Sequence, residues 1–236
     1  MKVNRVSGRV LQGPYEPVYV YEAPVRFWHW AMMLCMIVLG VTGYLIARPL
    51  PAIGGEATFS YFFANVRMIH FIAAMLFAVL FAVRLVWAIV GNRHARSIFL
   101  PPLWSFEWWS GLFHQAAYYL FLRKAPHHWV GHNPLAQLAM FVMFVLGTFV
   151  IVFTGLSLFS EQFGWGSGWM NAFGWVNVLL GGSQMVRTVH QLAMWWLALF
   201  ALVHVYMVFR EDIMSGESVI GTMINGIRMW KRAPKP

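Results

Sequence analysis

The sequence predicts an all-α integral membrane fold: a four-helix bundle with an additional amphipathic helix in the cytoplasmic interface. Three observations lead there. First, 60% of the 236 residues are hydrophobic and 11% are charged, against about 25% charged in a typical soluble domain. The mean hydropathy is +0.61. Second, four apolar segments of about 20 residues recur along the chain, each long enough to cross the roughly 30 Å hydrocarbon layer of a bilayer. Third, the basic residues cluster beside alternate connections, as topology requires of a multi-pass protein.

The spans lie at about 28–47, 68–90, 135–159 and 190–209. Lipid offers no partner for backbone polar groups, so each must be a helix. Lys2, Arg5, Arg9 and Arg26 precede or open the first span. Arg93, Arg96, Arg123 and Lys124 lie between the second and third. Arg210, Arg228, Lys231, Arg232 and Lys235 follow the fourth. The other two connections carry only Arg48 and Arg67, and Arg187. The positive-inside rule then places both termini and residues 91–134 in the cytoplasm. This divides the chain into a cytoplasmic segment 1–25, a membrane domain 26–212 and a cytoplasmic tail 213–236. The first 25 residues are polar and lack the apolar centre of a signal peptide, so the first span reads as retained.

Two connections have content of their own. Residues 103–122 mix Trp, Tyr and Phe with Glu107, His114 and Gln115. A fifth span there would put the termini on opposite sides, so the segment reads as an amphipathic helix in the cytoplasmic interface. Residues 160–186 are rich in Gly and Trp and predict a short outer interfacial helix where a partner docks.

Composition also excludes functions. A net charge of +9 suits nucleic acid in a soluble protein, but here the charge follows membrane topology, so no nucleic-acid partner is expected. Cys35 is the single cysteine. That excludes an intramolecular disulfide, a Cys-ligated iron–sulfur cluster and a CxxCH haem attachment.

Nine histidines remain. His94, His114, His127 and His128 read as interfacial or solvated residues of the cytoplasmic connection. His29, His70, His190 and His204 lie in or at the ends of the apolar spans, where ionisable groups are costly and usually functional. His190 and His204 are fourteen residues apart on one helix, roughly 21 Å along its axis and on nearly one face. Span direction sets depth: His29 and His204 fall near the inner surface, His70 and His190 near the outer. A single such ring also fits an interhelical hydrogen bond, but four rings at two matched depths point to iron. Two imidazoles on one haem iron leave no open site, which suits electron transfer. The sequence therefore predicts two haems, an outer one on His70 and His190 and an inner one on His29 and His204.

Arg26, Arg67 and Arg187 each stand three residues before one of these histidines, and Arg84 stands fourteen after His70. Arginine forks suit the haem propionates; membrane anchoring also fits. Thr42-Gly43 and Thr154-Gly155 end the first and third spans near the outer surface. Gly43 and Gly155 permit close approach of a flat ring, and ordinary helix packing accounts for them equally well. Met194 is not needed as a ligand.

Several of these runs together resemble the b-type cytochrome subunit of membrane-bound uptake [NiFe] hydrogenases. Arg26-Phe27-Trp28-His29-Trp30 leading to Thr42-Gly43 resembles the first signature of that family. Arg187-Thr188-Val189-His190-Gln191-Leu192, continuing through Trp195 to His204-Val205-Tyr206, resembles the second, with Val189 where the family usually has Trp. The segments YEAPVRFWHW, GEAT, GNRHAR, GHNPLAQ and REDIMSGESVI are similar as well. The resemblance covers about residues 18 to 230.

It implies a four-span cytochrome b of the bacterial inner membrane, bound on its periplasmic face to hydrogenase small and large subunits. Electrons would pass from the small subunit's Fe–S clusters through haem b to quinone. The chain would have no H₂-activating site of its own. The related membrane subunit of formate dehydrogenase, with two haems, implies a quinone site at the inner end. The matching residues here are His132, Asn133 and Gln137, with Glu211 and Asp212 as proton relays. Asn133-Pro134 equally fits a plain helix start. A cytochrome of another respiratory oxidoreductase, and a membrane anchor without redox role, stay open at this point.

Overall fold

The computed structural model describes residues 15–50, 61–125 and 129–231. Lys2, Arg5, Arg9, the 55–58 segment, His127, His128, Arg232 and Lys235 lie outside the described residues. After strand β1 (Tyr15–Tyr19) the chain enters α1 (Ala23–Ala47), which opens with Pro24 in its first turn, where a missing N–H costs nothing. Its buried residues Val25, Trp28, Met32 and Cys35 recur every three or four positions and so share one face. Helix α2 (Phe62–Val90) buries Ala73, Phe77, Phe81, Arg84 and Ala88 by the same period. The one-turn α3 (Arg93–Arg96) is capped by Asn92, whose side chain accepts from Ala95 N–H.

Helix α4 (Phe106–Tyr119) has 14 residues, about 21 Å at 1.5 Å per residue, too short to cross. It buries Trp108, Gly111, Leu112 and Gln115 and exposes Phe106 and Phe113, the division expected of an interfacial helix. The third span comprises α5 (Pro134–Ala139), a π-helical stretch Met140–Leu146, α6 (Gly147–Ser160) and a 3-10 turn Glu161–Phe163. A π-helical turn shifts the hydrogen-bond register by one residue. The indole of Trp196, on the fourth span, donates to Met143 O in this stretch at 3.0 Å.

Short helices α7 (Gly168–Phe173) and α8 (Trp175–Leu180) fill the next connection. Helix α9 (Ser183–Ser215) runs 33 residues and stops at Gly216, which adopts a φ of 64° as its N–H returns to Asp212 O; glycine takes this left-handed geometry without strain. Helix α10 (Val219–Asn225) and strand β2 (Ile227–Lys231) complete the fold.

The spans pair as two hairpins, α1 on α2 and the third span on α9. A cluster of Trp28, Met32, Phe77, Phe81, Phe144 and Leu197 joins them. Ile72, Val79, Val86, Leu199 and Leu202 point outward. Four helices are long and apolar enough to span a bilayer, and their outward apolar faces suit lipid. The chain is a multi-pass membrane protein.

One element departs from an all-helical reading. Strands β1 and β2 pair antiparallel, with Tyr15 opposite Lys231 and Tyr19 opposite Ile227. The two flanks of the bundle therefore meet at one end, as an even number of crossings requires. Beside the sheet, Arg228 forms an ion pair with Glu217 at 2.7 Å, with the Glu217 side chain fully buried. Glu217 also accepts Lys231 N–H at 3.0 Å. Nearby, Glu22 accepts from Trp87 Nε1 and from Asn92 N, both at 3.1 Å, which ties the start of α1 to the end of α2.

Candidate metal centres

At the end of the bundle that the positive-inside rule assigns to the outer surface, and called outer for that reason, α1 and α2 bring Thr42 Oγ1 to 2.8 Å from His70 Nδ1. The third span and α9 repeat this, with Thr154 Oγ1 at 2.9 Å from His190 Nδ1. Each threonine hydroxyl also bonds the carbonyl four residues back: Val38 O at 2.7 Å and Val150 O at 2.6 Å. A hydroxyl has one proton. Donating it to the carbonyl leaves an oxygen lone pair for the imidazole, so Nδ1 carries the hydrogen. The Nε2 lone pair of each ring is then free for a metal. A histidine ligand is commonly oriented this way, through a hydrogen bond from its other ring nitrogen.

The glycines stand against the same rings. A Cβ on Gly43 would lie 3.3 Å from His70 Cε1, and one on Gly155 would lie 3.1 Å from His190 Cε1. Both distances are tighter than ordinary contact, so the absent side chains let the imidazoles seat where they do.

At the inner end, the ring centres of His29 and His204 are 6.3 Å apart and inclined at 54°. Two imidazoles on opposite sides of one ion, each about 2.1 Å from it, have centres roughly 6 Å apart. His204 stacks on Phe200 at 5.6 Å. His29 Nδ1 is buried with no hydrogen-bond partner among the described residues. The residues fit the group they imply: imidazoles in apolar surroundings, glycine-packed at one end and facing each other at a spacing that admits one ion at the other. Among the described residues no three His, Cys, Asp or Glu side chains converge.

The arginines divide. Arg67 is exposed at the outer end. Arg187 is exposed too, and pairs with Glu161 at 3.1 Å. Arg26 donates from Nη1 to Ile224 O at 2.6 Å, tying α1 to α10. Arg84 is buried, donates to Ala95 O at 2.5 Å and lies against Trp28 and Phe99 at 5.2 and 4.7 Å. Its Nε and Nη1 remain unpartnered among the described residues.

Around His132 the polar groups do structural work. Asn133 caps α5 through Ala136 N–H at 2.8 Å, with Pro134 in the first turn, as a helix start requires. Gln137 accepts from Trp108 Nε1 at 2.8 Å and donates to His132 O at 3.0 Å. His132 Nδ1 shares a hydrogen bond with Tyr21 OH at 3.1 Å. Burial first, and then electrostatic coupling to His204, His94, Arg228 and Arg84, lowers the His132 pKa to about 3, so its ring is neutral at physiological pH. Burial pushes the Tyr21 phenol upward. Asp212 accepts from Ile220 N–H at 3.1 Å and so caps α10.

Thr42 and Thr154 were visible in the sequence only as neighbours of glycines. Their distinguishing contact is with histidines on other helices, 28 and 36 residues away. Tyr21, the partner of His132, opens the YEAPVRFWHW segment, but nothing in that segment singles it out.

The profile of the prokaryotic cytochrome b561 family matches residues 20–226. A probable Ni/Fe-hydrogenase B-type cytochrome subunit of Azotobacter vinelandii is 50% identical over 214 residues, 91% of this chain and 89% of the relative. The probable Ni/Fe-hydrogenase 1 B-type cytochrome subunit of Escherichia coli (strain K12) is 46% identical over 218 residues, 90% and 91% of the two chains. A probable Ni/Fe-hydrogenase B-type cytochrome subunit of Cupriavidus necator is 43% identical over 226 residues, 95% and 93%. Two histidine pairs, the glycines packed on the outer rings and a match across both hairpins agree: this chain belongs to the prokaryotic cytochrome b561 family.

Proposed function

We propose that this chain is the membrane-integral cytochrome b of a [NiFe] hydrogenase, passing electrons from the hydrogenase's Fe–S small subunit through haem b to the quinone pool. The observation that carries the reading is the repeated outer arrangement, in which a threonine on each hairpin turns a histidine Nε2 free for a metal. Names of the relatives support the hydrogenase partner.

Haem b supplies one-electron transfer between bis-histidine sites. The rest is this chain's work. His70 and His190 hold the outer haem, and His29 and His204 the inner. Gly43 and Gly155 leave space for the rings. Arg67 and Arg187 stand at the outer end for propionates; Arg84, with two free N–H donors, and Arg26 stand at the inner end. His132, Asn133 and Gln137 line the inner quinone site, with His132 held by its hydrogen bond to Tyr21. The membrane unit is 26–212, with 1–25 and 213–236 on the cytoplasmic side of a bacterial inner membrane. The small and large subunits dock on the periplasmic face, over α7 and α8. Quinone reduction at the inner end takes protons from the cytoplasm, and the overall reaction is then electrogenic.

A pyridine haemochrome count on the purified complex tests this. Two haems b per chain are expected, with both reduced by H₂ in membranes and reoxidised by added quinone. No α-band, or haem that H₂ does not reduce, overturns the reading. Proteoliposomes that reduce quinone with H₂ and build no membrane potential would remove the electrogenic part alone.

A further inference from the structure

We propose that Thr42 and Thr154 are positioning residues that hold the outer haem at a lower reduction potential than the inner one, so that the outer-to-inner electron step runs downhill. The proposal rests on His70 and His190 holding the outer haem.

Both hydroxyls are buried, Thr42 at 7% and Thr154 at 3% exposure, so water does not compete for them. Each donates its proton to a carbonyl of its own helix, at 2.7 and 2.6 Å. Such back-bonding by threonine is common in apolar helices. Here it forces the hydroxyl to meet Nδ1 as an acceptor, at 2.8 and 2.9 Å. An acceptor on Nδ1–H pulls that proton outward and makes Nε2 more electron-rich. A more basic ligand favours ferric over ferrous iron. The outer site has this on both ligands.

The inner site has it on neither. His29 Nδ1 is buried and unpartnered among the described residues, and His204 lies against the face of Phe200. Positive charge also stands at that end: the Arg84 guanidinium is buried against Trp28 of α1 and Phe99, and donates to Ala95 O of α3. Positive charge near the site favours the reduced form. Ligand basicity outside and cationic surroundings inside thus act in the same direction.

The test is potentiometric titration of the reduced α-band in the intact complex, with haem stoichiometry measured alongside. Thr42→Val and Thr154→Val keep shape and remove the hydroxyl acceptor, leaving at His190 the nearby Ile151 carbonyl. Each is expected to weaken the ferric preference of one haem about tenfold, raising its midpoint by about 59 mV for one electron. The double variant should move the same haem about twice as far and leave the other midpoint in place. Thr→Ser at either position should restore the original value, which a merely structural role would not require. Full haem content with both midpoints unchanged overturns the proposal. Should a Val variant lose the outer haem, Thr→Cys at the same position decides. Its weak sulfur acceptor should give an intermediate rise, and an unchanged midpoint overturns the proposal. Retention of both haems in His70→Ala would instead overturn the ligand assignment itself.

Discussion

The outer and inner ends of the bundle solve the same problem with different materials. Outside, His70 and His190 are each set by a threonine and a glycine on a neighbouring helix, and the two hairpins supply matching halves. Inside, His29 and His204 face each other at 6.3 Å without hydrogen-bonding threonines. The polar groups at that end are spent on the scaffold: Glu217 on Arg228, Glu22 on Trp87 and Asn92, Gln137 on Trp108. The difference teaches that ring orientation is set within each hairpin outside, while inside the rings are surrounded by the closing flanks of the chain. The strands and the end of α9 meet there, so the inner site depends on parts of the chain remote from it in sequence.

The sharpest way to break the comparison is to delete ligands. His70→Ala and His190→Ala should each remove the same haem, and His29→Ala and His204→Ala the other, leaving one of two per chain by pyridine haemochrome. If His70→Ala and His190→Ala remove different haems, the pairing by depth fails.

The next effect is on stability at the inner end only. Glu217→Ala leaves Arg228 buried without its carboxylate, which costs about 3–5 kcal/mol. A marked fall in the thermal midpoint is expected in detergent, with the outer haem spectrum unchanged below the transition. A smaller effect belongs to the outer end. Gly155→Val places branched carbons against His190, where even a Cβ would sit 3.1 Å from Cε1. Outer haem retention should weaken on the order of tenfold, as when a ligand's supporting groups are disturbed. Gly43→Val, with a 3.3 Å approach, should weaken it less. Equal loss of the inner haem would show that the glycines pack helices generally.

The smallest effect is on pH dependence. The folded-state pKa of His132 is about 3, below the ordinary value of about 6.5. Between these values the unfolded chain binds more protons, so stability falls as pH drops from about 6.5 toward 3 and is unaffected by this group above 6.5. The groups bearing on the ring are Tyr21, His204, His94, Arg228 and Arg84. His132→Gln should flatten the decline of the thermal midpoint between pH 7 and pH 5. An undiminished slope would show that another group carries it.

Four spans, their order and the two histidine depths were legible because each is written in local composition and in the 3.6-residue period. Span ends were less so: α9 runs from Ser183 to Ser215, beyond the apolar stretch 190–209, because polar residues continue a helix readily once it leaves the hydrocarbon. The β1–β2 pairing was not legible. Five-residue strands leave little pattern, and each finds its partner more than 200 residues away. The glycine signal was ambiguous by sequence, and the ring contacts at 3.1 and 3.3 Å favour close seating of the imidazoles.

By itself, the sequence determined that this chain lives in a bilayer and how often it crosses, and from these it predicts which imidazoles share a depth. Those properties follow from hydrophobicity, charge and helical rise, which act residue by residue. Only the tertiary structure decided which threonine meets Nδ1 of each outer histidine, and that the two chain flanks pair at the other end of the bundle. Both depend on atoms brought within about 3 Å from different helices or strands, and no local property of a sequence specifies such a meeting.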